Sequence, residues 1–144
     1  MLKLIVLASL LAVSGTLSAT PGTSPSAAYE PQRLESYVGK YPSDLLRGVP
    51  SIKRRLRTLL AANYSFFMNR LQTEMPIESD EGALVVRGCM AHSCGVEEAV
   101  MVINVADGKL HCAILSAKFG GKFRVFSEDK AHIPAALTRA MHQP

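Results

Sequence analysis

Cys89-Met90-Ala91-His92-Ser93-Cys94 is the segment whose residue types and spacing point most directly to a chemistry. Two cysteines bracket four residues, one of them a histidine. With the cysteines oxidised, His92 stands on a small, covalently closed loop, which suits presenting one side chain to a partner. Closing so short a ring contributes roughly 2 kcal/mol in the chain-entropy picture, the low end for a disulfide. Its larger effect falls on the four residues inside, because pre-ordering a recognition loop removes about 0.5–1.5 kcal/mol of ordering cost per side chain on binding. The plainer alternative is a stapled hairpin with an incidental surface histidine.

Other chemistries fit these residues less well. A zinc site would draw on Cys89, His92 and Cys94, with His111 or Cys112 added, but zinc needs a tetrahedral set with reduced thiolates. The Cys-x2-His-x-Cys spacing is also unusual for it. A thiol oxidoreductase would place Cys-x-x-Cys at the start of a helix in a βαβ unit, where the helix N-terminus lowers a thiol pKa. Here the cysteines lie between strand-like segments. No Gly-x-Ser-x-Gly is present for a hydrolase. Glu97 and Glu98 are adjacent, so on a strand they face opposite ways and do not form a catalytic pair. His111 reads as a packed or edge residue, and His132 and His142 have no evident partner. The sequence therefore predicts no enzyme, no cofactor and no metal.

Whether the cysteines are oxidised depends on compartment, and the N-terminus speaks to that. Lys3 precedes an apolar run from Leu4 to Val13, followed by the small residues Ser14, Gly15, Ser18 and Ala19. This is the pattern of a secretory signal peptide, and it is shorter than the ~20 apolar residues of a membrane-spanning helix. We read residues 1–19 as the leader, with a second cleavage option after Ala28. The proline and small polar residues that follow make 20–33 a flexible linker. Residues 34–144 then form a single domain. The expected location is periplasmic or secreted, where disulfides persist. Short spacing favours the Cys89–Cys94 bond. Cys112 is left either as a buried core thiol or as a link to a second chain, giving a homodimer.

The charge balance is mild: +4 for the whole chain, and +3 once Lys3 is set aside. Lys53, Arg54, Arg55 and Arg57 cluster, but only Phe66 and Phe67 follow closely. Nucleic-acid binding asks for a broader basic face with stacking groups, so no nucleic-acid partner is expected.

The remaining elements must position the loop. Ser43 is placed to cap a short helix ending at Gly48, and Ser51 a longer one. Ile52, Leu56, Leu59, Leu60, Tyr64, Phe67 and Leu71 recur at three- and four-residue steps, an amphipathic helical stripe that must pack on something. Asn63 falls on it and allows a break. Pro76 ends the helical half, and Ile77 is expected to belong to a short strand. Strands are predicted over 83–88, 98–105, 110–115 and 122–127, with Asp107-Gly108 as a hairpin signal. In the last strand Phe123 and Val125 are expected inward and Arg124 outward. Ile133, Leu137 and Met141 make a short C-terminal helix, with Pro134 in its first turn. Helices, then an antiparallel meander of four or five strands, then a helix is an α+β order. The loop joins two of these strands and is expected at the sheet edge.

At these residues the chain resembles a known family. Val85-Val86-Arg87-Gly88-Cys89-Met90-Ala91-His92-Ser93-Cys94-Gly95 is similar to the signature loop of the Ivy family, the inhibitors of vertebrate lysozyme. In that family a periplasmic α+β domain displays a disulfide-closed Cys-Lys-Pro-His-Asp-Cys loop, whose histidine enters the lysozyme cleft and meets two catalytic carboxylates. By position, Cys89 and Cys94 match the disulfide and His92 the inhibitory histidine. The resemblance implies that Met90, Ala91, His92 and Ser93 contact a lysozyme or a related peptidoglycan-cleaving enzyme. The family's lysine, proline and aspartate are Met90, Ala91 and Ser93 here, which leaves the loop less rigid and without a carboxylate. Mild basicity also opposes binding to basic animal-type lysozymes. A non-catalytic module for another envelope partner, with the loop as a structural staple, is the alternative reading.

Overall fold

The structure, a computed structural model, describes residues 31–143. The expected leader, and the expected linker up to residue 30, lie outside the described residues; residues 31–33, read as the end of that linker, begin a helix instead. Four short helices come first: α1 (Pro31–Glu35), α2 (Pro42–Gly48), α3 (Pro50–Leu60) and α4 (Tyr64–Met68). Six strands follow: β1 (Thr73–Glu74), β2 (Glu78–Asp80), β3 (Ala83–Cys89), β4 (Glu98–Asn104), β5 (Leu110–Ser116) and β6 (Lys122–Ser127). Helix α5 (Ala135–His142) ends the fold. This is the expected α+β order. No helix among the described residues is long and apolar enough to cross a membrane.

The sheet is antiparallel throughout, in the order β1-β3-β4-β5-β6, with β2 also paired to β3. The count exceeds four or five because one edge strand is interrupted. Glu74 sits opposite Gly88, and Glu78 opposite Val85. Four steps on one strand therefore match three on the other, and the extra residue accumulates around Pro76, which has no N–H to give the ladder. Ile77 turns away instead: its N–H donates to Lys40 C=O at 2.8 Å, its C=O accepts from Gly39 N–H at 2.8 Å, and its side chain is buried.

The helices start differently from the expectation. Tyr41 and Val49 are the N-caps, and Pro42 and Pro50 occupy the first helical positions, where a missing N–H costs nothing. Ser43 is thereby released. Its N–H and hydroxyl both donate to the Glu74 carboxylate, at 2.9 and 2.8 Å, tying α2 to the sheet edge. The long stripe breaks at a 3-10 turn over Ala61–Asn63, and Ile52, Leu56, Leu60, Phe67 and Leu71 are all buried.

Both sheet faces are covered. Leu84, Val86, Met101, Ile103, Leu110, Cys112 and Ile114 pack under α2–α4. The alternate residues Val85, Val100, Val102 and Ala113 pack under Ala136, Leu137 and Ala140 of α5. Side chains alternate along a strand, so burial on both sides explains the near-continuous apolar runs. Cys112 is fully buried in the larger core, and burial pushes its thiol well above the ordinary range. It is a core thiol, which removes it as a bridge to a second chain. In β6, Phe123 packs under α5, but Val125 is exposed, because the strand lies at the sheet margin. Arg124 lies on the other sheet face, over Phe119 and Phe126. Pro134 is the N-cap of α5 rather than part of its first turn, and Ile133 is left exposed.

Candidate functional site

β3 and β4 are in register up to Cys89 and Glu98, so residues 90–97 project from the end of the sheet. The lateral edge beyond β3 is taken by β1 and β2, which corrects the expectation that the loop sits at the edge. The Cys89–Cys94 disulfide is formed, with Cα atoms 5.0 Å apart. Cys89 is buried at the strand end and Cys94 is exposed, so the bond ties the loop tip to the core.

Two successive turns shape the loop. Ser93 N–H donates to Met90 C=O at 3.0 Å, making a β-turn with Ala91 and His92 at its centre. His92 has φ +62°, the sign that a type II turn requires at its third residue. Histidine accepts this region more readily than most residues. Ser93 C=O then accepts from Val96 N–H at 3.1 Å and Glu97 N–H at 2.9 Å. Gly95 N–H donates to the Glu98 carboxylate at 2.7 Å, and Met90 N–H to Glu97 C=O at 2.9 Å, closing the base. Ala91 and His92 emerge exposed, whereas Met90 and Ser93 are half-buried in the loop wall.

Beneath the loop lies a network that the sequence did not reveal. Arg70, in the 3-10 turn Asn69–Leu71, is only 4% exposed. Its guanidinium pairs with Glu97 and donates to Phe66 C=O at 2.7 Å and to Ser116 Oγ at 3.1 Å. Its guanidinium carbon lies over the Phe66 ring, 3.3 Å from the centroid, and its Nε has no partner among the described residues. Glu97 also accepts from Ser116 Oγ at 3.1 Å and from Ala117 N–H at 3.0 Å. Burial alone would raise the Glu97 pKa. The hydrogen bonds from Ala117 and Ser116, and the Arg70 cation, outweigh it and hold the carboxyl below its ordinary value. Behind the loop root the packing is equally tight: a Cβ on Gly88 would come within 2.9 Å of both Thr73 O and Leu71 Cδ2. The one available signal for Arg70 was its place between Phe67 and Leu71, on the buried side of a helical stripe.

The rival site residues are not brought together. Cys89 and Cys94 are bonded to each other. His111 and Cys112, adjacent on β5, face opposite sides of the sheet. Among the described residues no group of three His, Cys, Asp or Glu side chains is placed to hold a metal. Glu97 and Glu98 turn apart, one to Arg70 and one to Gly95. His111 is 2% exposed, its Nδ1 is 2.9 Å from Ser127 Oγ, and burial lowers its pKa. His142 Nδ1 lies 2.7 Å from Thr138 C=O, and His132 is exposed.

Comparison with known proteins identifies the family. No curated protein and no solved structure matches the chain. The family model described as "Inhibitor of vertebrate lysozyme (Ivy)" matches residues 51–143, which spans α3 after its first residue, the whole sheet, the disulfide loop and α5. The chain belongs to the Ivy family.

Proposed function

We propose that this protein is an exported lysozyme inhibitor, acting in the periplasm or outside the cell, that inserts the Cys89–Cys94 loop into the active-site cleft of a muramidase. Its disulfide-closed β-turn, with His92 exposed at the third position, is the observation that carries this reading. Retaining glycosidases place two carboxyl groups about 5 Å apart, one protonated and one ionised. An imidazole has two ring nitrogens and can donate to one group while accepting from the other. Positioned between them it occupies the catalytic pair and excludes the sugar. Ala91 leads the loop, while Met90 and Ser93 form its walls. The protein itself catalyses nothing in this scheme.

Inhibition of lysozyme by wild type is to be compared with His92→Ala and with His92→Asn, which tolerates the same positive φ. We expect the alanine variant to lose most of its potency with its thermal stability little changed, since the side chain is exposed. Equal potency for wild type and His92→Ala would refute the role assigned to His92.

A further inference from the structure

The loop at 90–97 does not stand alone at its end of the sheet. The antiparallel order brings the β5–β6 connection there too, with Leu115 opposite Glu98 and Ser116 opposite Lys122. The two are bonded: Ala117 N–H and the Ser116 hydroxyl both donate to Glu97 at the root of the disulfide loop. Gly120 and Gly121, each with φ +70°, then turn the connection tightly back into β6.

This connection carries Lys118, and the first and third residues of β6 are Lys122 and Arg124, all exposed. None of the three has a carboxylate partner among the described residues. Aromatic rings hold two of them instead. Lys118 Nζ lies 4.9 Å from the Phe66 ring centroid, and Arg124 lies 5.3 and 5.5 Å from those of Phe119 and Phe126. Phe66 and Phe119 meet edge to face at 5.6 Å. A ring face orients a cation without neutralising it. The carboxylates of the loop root are already engaged, Glu97 by Arg70 and Glu98 by Gly95 N–H. At the opposite sheet edge the balance differs: Glu78 pairs with Arg87, and Asp80 and Glu81 with Arg139. Positive charge is therefore concentrated, uncompensated, beside the loop that displays His92. Val96, on the same loop, is 54% exposed and adds an apolar contact next to it.

We infer that residues 117–124 form a second contact loop, and that the enzyme this end of the sheet fits is a muramidase whose cleft is rimmed by carboxylates. This rests on the reading that the Cys89–Cys94 loop enters a muramidase cleft. A cationic rim beside the inserting loop speeds encounter with an acidic rim and repels a basic one; such complementarity governs association rate and choice of partner more than total affinity. Strongly basic animal-type lysozymes are the poorer match.

The test measures inhibition and association rate against one basic animal-type lysozyme and one acidic muramidase, using wild type, the double variant Lys118→Glu/Lys122→Glu, and His92→Ala. Both lysines are exposed and make no ion pair, so the double variant is expected to melt close to wild type, losing only the weak, exposed contact of Lys118 with the Phe66 ring. Wild type is expected to favour the acidic enzyme. Charge reversal should shift the ratio of the two affinities toward the basic enzyme by about tenfold or more, chiefly through association rate, and the shift should fade at about 1 M salt. A wild-type preference for the basic enzyme overturns the inference. So does an unchanged ratio in the double variant while His92→Ala still abolishes inhibition, and that result leaves the inhibitor reading intact. Wild-type potency in His92→Ala overturns both.

Discussion

Glu97→Ala probes the network under the loop. The substitution leaves the Arg70 guanidinium, with a side chain 5% exposed, without its counter-ion. Arg70 retains Phe66 C=O and Ser116 Oγ, but Nε already lacks a partner, and Ala117 N–H loses its acceptor. Breaking a buried ion pair from one side typically costs about 3–5 kcal/mol, because a buried charge is left uncompensated. That is a large part of the roughly 5–15 kcal/mol that holds a domain together. At about 4 °C per kcal/mol for a domain of this size, the melting temperature should fall by roughly 12–20 °C. Urea unfolding at neutral pH, followed by circular dichroism, measures the loss directly. Amide exchange at Met90, which donates to Glu97 C=O, reports whether the loop base opens. Arg70→Leu/Glu97→Leu should recover much of the stability, since replacing a whole buried pair by apolar groups is often close to neutral. Glu97 titrates below its ordinary value of 4.5. Its contribution is therefore complete above that pH and is lost as pH falls through the lowered pKa, so wild type and Glu97→Ala should converge in acid. A loss below about 1 kcal/mol at neutral pH, within the range of an exposed pair, would refute the reasoning.

Two further substitutions test the loop and the sheet. Ala91→Pro places proline at the second residue of the Met90–Ser93 turn, where its fixed φ suits type II geometry; it forgoes only the 3.4 Å contact of Ala91 N–H with Gln72. We expect thermal stability to rise by about 0.4–1 kcal/mol and inhibition to strengthen, and a drop in both would show that the turn is not of this type. Burial lowers the His111 pKa below its ordinary 6.5, so the folded state binds its proton less readily than the unfolded chain; stability should fall as pH drops through and below 6.5. His111→Gln should flatten that slope in urea titrations, and an unchanged slope would assign it to another group.

Much of the fold is legible in the sequence because it rests on periodicity. The helical stripe, the four long strands and the Asp107-Gly108 hairpin each follow from local spacing, and the structure places them where that spacing puts them. The disulfide also follows from spacing, since a separation of five leaves Cys89 and Cys94 little else to meet. What was not legible depends on distant partners. The serine caps were displaced because Pro42 and Pro50 fix the first turns and Glu74, 31 residues away, claims Ser43. The edge strand was misread because Ile77 bonds to the 39–40 turn rather than to β3. Arg70 and Glu97 lie 27 residues apart, in a helical turn and a loop, and no local pattern joins them. These long-range contacts set where the loop stands, so its composition was readable and its support was not.

The three altered loop residues acquire a physical reading from this arrangement. Met90 and Ser93 are half-buried, and their backbone groups, Met90 C=O and Ser93 N–H, close the turn whatever side chains they carry. A lysine and an aspartate at those positions would add one cation and one anion to the loop without changing its hydrogen bonds. Without them, His92 is the one titratable side chain between Cys89 and Cys94. Charge then reaches this end of the molecule from the neighbouring connection, through Lys118, Lys122 and Arg124, which the Glu97 network ties to the same root. Family membership and partner choice thus separate physically. In the proposed reading the disulfide turn carries the inhibitory histidine, and the adjoining cations set which cleft it approaches. A chain can keep the first and revise the second without disturbing the core that both stand on.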